Sequence, residues 1–319
     1  MKCVWGALVV VAVSLISGCG VADRTTAGHA TAASATTSSS PLPTSSSLSP
    51  TTTTSTTRTS PPRTPSTSGP VQSDPDLGYN PILTREGAGI SAVNCRLPAW
   101  SANQAAAEAF YRAAIECHND SWRPALAGFG ITLTAPSLWA GARGADYNGA
   151  CGANASGREA FYCSQGGEIV MPYDTMKPIT EYGVGYALAV LSHEYGHHLQ
   201  RVTGLMTAFQ ARVAALDYSD PAVDLLNRRL ELQAWCFSGM FYGTNTGRGS
   251  ITASLTKQAN DNNSGAGDRP GERRFHGTSK NVANWFGWGQ HPSLDPNASV
   301  TPSMYECNPW AARDAGWLE

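Results

Sequence analysis

His193-Glu194-Tyr195-Gly196-His197 is the stretch of this chain best suited to chemistry. Residues i and i+4 share one face of a helix, so two imidazoles can ligate one metal ion while Glu194 reaches the water that the ion binds. Such an arrangement serves metal-assisted hydrolysis: zinc acidifies a water, a carboxylate accepts its proton, and the nucleophile so formed attacks a polarised carbonyl. With seven His and eleven Glu in 319 residues, the pattern would arise by chance on the order of half a percent of the time. It therefore carries information. A catalytic zinc takes three protein ligands, one more than the motif offers, so a further His, Asp or Glu is expected on a neighbouring helix.

The elements that must position these groups are legible in outline. The run before the motif, Tyr186-Ala-Leu-Ala-Val-Leu-Ser192, is apolar and free of Pro and Gly, which predicts a buried helix over residues 180–200. Strong helix formers predict a first helix over residues 102–119 with Ser101 as its cap. The run Glu168-Ile-Val-Met171 before Pro172 reads as a strand whose edge could lie beside an extended peptide. A short helix is expected over residues 206–215, and another after Asp220-Pro221, with Asp220 capping and Pro221 in the first turn, running to about residue 242. Glu231 lies on this last helix, 34 positions beyond His197 (231 − 197), and is the leading candidate for the third ligand. Residues 243–271 read as a polar, Gly-rich segment, and an aromatic portion follows it.

The two ends of the chain speak to location. Lys2, the apolar run over residues 4–16 and Ile16-Ser17-Gly18-Cys19 read as a signal peptide over residues 1–18, followed by a cysteine in a lipobox-like context. That resemblance implies lipid on Cys19 and anchoring to the outer face of a bacterial cytoplasmic membrane. Residues 19–76 are rich in Ser, Thr, Ala and Pro and poor in large apolar side chains, so a disordered stalk is expected, with a span of about 40 Å or more. Residues 77–319 remain as one domain. The formal net charge is −2 with no basic cluster, which argues against nucleic acid as a partner. Arg228-Arg229 and Arg273-Arg274 read as solvated surface. Cys95, Cys117, Cys151, Cys163, Cys236 and Cys307 form an even set in an exported domain, which implies disulfides. The expected pairing is Cys95 with Cys117 and Cys151 with Cys163, both local, and Cys236 with Cys307, which would tie the C-terminal part to the motif region.

Ser192-His-Glu-Tyr-Gly-His-His-Leu-Gln200, Arg229-Leu-Glu-Leu-Gln-Ala-Trp-Cys-Phe-Ser-Gly239 and His276-Gly-Thr-Ser-Lys-Asn-Val-Ala-Asn-Trp-Phe286, with the weaker block Phe161-Tyr-Cys163, resemble the bacterial putative neutral zinc metallopeptidase family. The lipobox, stalk and cysteines are similar to the actinobacterial surface lipoproteins of that group. The resemblance implies an α+β, mostly helical, gluzincin-like zinc metalloprotease domain with a small β-sheet. It also implies His193, His197 and Glu231 as ligands of one Zn2+ per chain, and Glu194 as general base. His276 has two readings, a donor to the developing oxyanion or a cap for the helix starting near Thr278. The family's second block usually reads E-L-Q-A-D-C, whereas this chain has Trp235 where the Asp would stand. An Asp there could accept a hydrogen bond from a ligating His, and an indole cannot.

The remaining candidates read as structural. His198 points away from His197 and is expected at the helix surface or in a supporting position; His118 and His291 are expected to be structural or exposed. Asp268 would reach the site only by accident of folding. Trp285, Trp288, Tyr305 and Trp310 read as core. The function expected is a membrane-anchored, extracytoplasmic zinc metallopeptidase acting on peptides or proteins of the cell envelope. The alternative is a catalytically degenerate scaffold of the same fold that binds an envelope component.

Overall fold

A computed structural model describes residues 77–319 other than 102, 154, 159, 178–182 and 272. The signal peptide, Cys19 and the stalk lie outside the described residues. Helix α1, Gln104–Ala127, is capped by Asn103, whose side chain accepts from the amides of Ala105 and Ala106. It starts later and ends later than the sequence suggests. Ser101 is not the cap, and the helix continues past residue 119 because Phe110, Tyr111, Ala114, Trp122 and Leu126 bury one continuous face. Pro124 removes one backbone bond four residues back, at the exposed Asp120, and so does not stop it.

Three short strands form the main sheet: β1, Ser137–Trp139; β4, Phe161–Cys163; and β5, Glu168–Val170. Between them in the chain a two-residue ladder, β2 (Asn148–Gly149) with β3 (Gly152–Ala153), turns around Cys151. The order is β1-β5-β4, with β1 parallel and β4 antiparallel to β5. The strand at Glu168 is thus central and flanked on both sides, so the expectation that its edge could receive a peptide is corrected. Strand β1 was not anticipated because three residues are too few to display an alternating pattern.

After the four-residue helix α2, Tyr173–Met176, the motif helix α3 runs Val184–Val202 and is buried from Gly185 to Gln200. Helix α4, Leu205–Ala214, follows, and then α5, Pro221–Asn245, with the side chain of Asp220 accepting from the Ala222 amide as its cap. The polar, Gly-rich segment over residues 243–271 contains helix α6, Ala253–Asn263. Thr252 caps it, and it buries Leu255, Thr256 and Ala259. Tertiary packing overrides the weak helix propensity of a run rich in Ser, Thr and Asn. Helix α7, Ser279–Gln290, completes the set of seven helices among the described residues. Together with the small sheet this is an α+β fold, and none of the described helices is long and apolar enough to cross a membrane.

Close helix contacts depend on missing side chains. A Cβ on Gly196 of α3 would sit 2.7 Å from the Ala234 carbonyl oxygen of α5, and a Cβ on Gly239 of α5 would collide with the Phe286 carbonyl of α7. Disulfides join Cys95 to Cys117, Cys151 to Cys163 and Cys236 to Cys307, the three pairs expected from the sequence. Trp285, Trp288 and Trp310 are buried, while Tyr305 is half-buried. The basic pairs are not merely solvated: Arg228 donates to the carbonyls of Leu318 and Arg274, and Arg273 pairs with Asp224.

Candidate metal centre

Helix α3 places His193 and His197 one turn apart and turns both inward, and the glycine crossing at Gly196 draws α5 close enough to bring Glu231 to them. The Nε2 atoms of the two imidazoles are 3.2 Å apart. Glu231 Oε2 lies 3.1 Å from His193 Nε2 and 3.3 Å from His197 Nε2. All three residues are buried, and Glu231 Oε2 receives no hydrogen bond of good geometry. A buried carboxylate oxygen without a donor is unfavourable unless something else binds it.

The donor set fits zinc. Two imidazole nitrogens and a carboxylate oxygen are typical of a catalytic site, and a tetrahedron with corners 2.0–2.1 Å from its centre has edges of about 3.3–3.4 Å. The triangle observed here has nearly those edges, so His193, His197 and Glu231 could hold a divalent metal.

The electrostatics of the three groups are interlocked. Burial lowers the His193 pKa to about 4, although the Glu231 carboxylate beside it opposes the shift. Burial also works to lower His197, but the Glu231 carboxylate outweighs it and carries the pKa up to about 9. Burial would raise Glu231, yet the two imidazoles hold it well below the usual carboxylate range. A metal ion entering the site would compete with protons for these donor atoms.

Glu194 lies next to this cluster, 4% exposed, and burial pushes its pKa up to about 7 against the opposing pull of His197. His197 Nδ1 faces Gln200 Oε1 at 2.8 Å. His193 has no such partner among the described residues: its Nδ1 is buried and unbonded, and the ring stacks on Trp235 with centroids 4.2 Å apart and planes at 28°. Trp235, at the position of the Asp that the resemblance leads one to expect, thus packs on the face of the ring and supplies no acceptor to Nδ1.

His276 is not a helix cap; Thr278 performs that role by accepting from the Asn281 amide. Instead Asp268 cradles His276. One carboxylate oxygen is 2.8 Å from the ring Nδ1, and the other accepts from the amides of His276 and Gly277 at 2.9 and 2.8 Å. Among the described residues His276 Nε2 is buried without a partner, and a charge on this ring would act on His193, Glu194 and Glu231. Burial works to lower the His276 pKa, but the Asp268 hydrogen bond together with the charges of Glu231 and Asp268 outweighs it, and the net shift is upward. Asp268 is thus a built part of the site rather than an accidental neighbour.

The other histidines are structural. His198 is buried, not at the helix surface. Its Nε2 donates to the Thr134 carbonyl at 2.7 Å, which leaves Nδ1 to accept from the Tyr162 hydroxyl at 2.9 Å and ties α3 to β4. His118 stacks on Phe241 and Tyr195 and bonds to Ser192, and His291 bonds to the Asp295 carbonyl. A cavity of about 520 Å³ lined by Leu225, Arg228, Arg229 and Leu318 contains none of the metal-centre residues. Sequence reasoning gave no role to Gln200 or Gln233. For Gln200 the available signal was its place three residues beyond His197, on the same helical face.

The family model described as "Putative neutral zinc metallopeptidase" matches residues 89–299, a span that includes α1 to α7 and every residue of the cluster. The protein YpfJ of Escherichia coli K12, itself uncharacterized, is 28% identical over 203 residues, covering 58% of this chain and 68% of that protein. Its counterpart in Escherichia coli O6:H1 matches to the same extent. No solved structure matches the chain. With a family match over well over half of its length and the family's donor set converging at one point, this chain belongs to the putative neutral zinc metallopeptidase family.

Proposed function

We propose that the protein is a zinc-dependent peptidase, held at the outer face of a bacterial cytoplasmic membrane by lipid on Cys19, that hydrolyses peptide bonds in peptides or proteins of the cell envelope. The observation that carries this reading is the convergence of His193, His197 and Glu231 within 4.8 Å of one another, with Glu194 buried beside them. Zinc, when bound, supplies Lewis acidity and an acidified water. Glu194, with a pKa pushed up to about 7, is suited to accept a proton and to return it to the leaving amine near neutral pH. Asp268 favours the charged form of His276, whose Nε2–H has no acceptor among the described residues and could stabilise an oxyanion.

One observation favours the second reading, a binding scaffold that no longer turns over substrate: the unbonded Nδ1 of His193 beneath Trp235. Hydrolysis of a fluorogenic peptide library by the zinc-loaded chain, abolished by chelation, separates the two. Glu194→Gln should retain zinc and lose activity by about 10²–10⁴-fold. A zinc-loaded chain that cleaves neither peptides nor cell-wall stem peptides would favour the scaffold.

A further inference from the structure

We propose that Gln200 and Gln233 are positioning residues of the metal centre, forming an amide relay that fixes the tautomer and tilt of His197 from two backbone carbonyls. The inference rests on the metal-centre reading above and adds to it the groups that orient one ligand. Both glutamines are fully buried. The Gln233 amide nitrogen donates to the Cys307 carbonyl at 3.0 Å, and a carbonyl can only accept, so Gln233 Oε1 must face the other way. It accepts from the Gln200 amide nitrogen at 3.1 Å, which also donates to the Leu230 carbonyl at 2.7 Å.

Rotating the Gln200 amide by half a turn would set its oxygen against two acceptors. Its orientation is therefore determined, and Oε1 faces His197 Nδ1 at 2.8 Å. Against an obligate acceptor that nitrogen must carry the hydrogen, which directs the ligating capacity of the ring to Nε2, the atom facing Glu231.

The relay is anchored on the helix that supplies the candidate third ligand, directly through Leu230 and Gln233 and indirectly through the Cys236–Cys307 disulfide. Leu230, Glu231 and Gln233 are on α5, and Cys307 is bonded to Cys236 of the same helix. His193 has no equivalent partner, so the two imidazoles are held differently, one by a hydrogen-bonded relay and one by an aromatic face.

The test compares the full-length parent with Gln200→Met and Gln233→Met, substitutions close in volume that remove the amide. Zinc affinity is read by competition with a chromophoric chelator, and the ring N–H protons of ¹⁵N-histidine are followed by NMR in the zinc-loaded protein. Gln200→Met should weaken zinc binding by about 10–100-fold and abolish one downfield, slowly exchanging ring N–H. Gln233→Met, which leaves the Leu230 bond in place, should weaken binding by less than about tenfold and speed exchange of that proton. A folded Gln200→Met protein with parental affinity and an unchanged N–H signal would overturn the relay. If that variant does not fold, parental affinity and exchange in Gln233→Met overturn it instead. A parent chain that takes up no zinc would overturn the metal centre, whereas normal uptake indifferent to both glutamines overturns the relay alone.

Discussion

Trp235 lies nearly flat on the His193 ring, and the magnitudes decide what that contact does for metal binding. Stacking contributes about 0.5–1.5 kcal/mol beyond area burial. A buried ring N–H without an acceptor costs about 1–3 kcal/mol. The missing acceptor outweighs the stack, so a metal held by these three residues would bind less tightly than the same set could achieve with an acceptor at Nδ1. Trp235→Asp should tighten zinc binding by about 10–100-fold, while exchanging a buried indole for a small carboxylate lowers the melting temperature of the metal-free protein. Chelator competition and thermal denaturation read the two effects separately. Unchanged or weaker zinc binding in a folded variant would count against this account of His193. At this scale the candidate ligands were legible because His193 and His197 form a local i, i+4 pattern and Glu231 sits on a recognisable helix. The partners were harder to see. Gln200 meets Gln233 across two helices, and Asp268 meets His276 within a loop, so neither pair leaves a period in the sequence.

The three candidate ligands converge because α3 and α5 cross at a glycine. A Cβ at Gly196 would lie 2.7 Å from the Ala234 carbonyl oxygen and 2.9 Å from its Cα, both backbone atoms that cannot rotate away. Gly196→Ala should therefore part the helices, destabilise the fold by about 1–3 kcal/mol and move Glu231 away from the histidine pair. Denaturant unfolding checks the first effect and zinc affinity the second; a variant as stable as the parent would contradict the crossing as described. Helices α3, α4 and α5 were readable from apolar runs and from the Asp220-Pro221 start signal. Helix α6 was not, because its Ser, Thr and Asn content resembles a loop until Leu255 and Ala259 find a buried surface. The strand at Glu168 was found, but its central place in the sheet depends on β1, about thirty residues earlier, and sequence alone does not reveal that pairing.

At the scale of the molecule, three disulfides close loops within the folded domain, as suits an exported protein. Export and anchoring rest on residues 1–76 and remain part of the proposal. Cys19→Ser should shift the protein from the membrane fraction to the soluble one, because no described helix can substitute for two or three buried acyl chains. Membrane retention of that variant would remove the lipid anchor from the account. The central claim is the metal centre, and elemental analysis of the purified, chelator-free chain tests it most directly. The account predicts about one zinc per chain in the parent and loss of that zinc in Glu231→Ala. A well-folded parent without zinc, or a Glu231→Ala variant that retains it, would contradict the account.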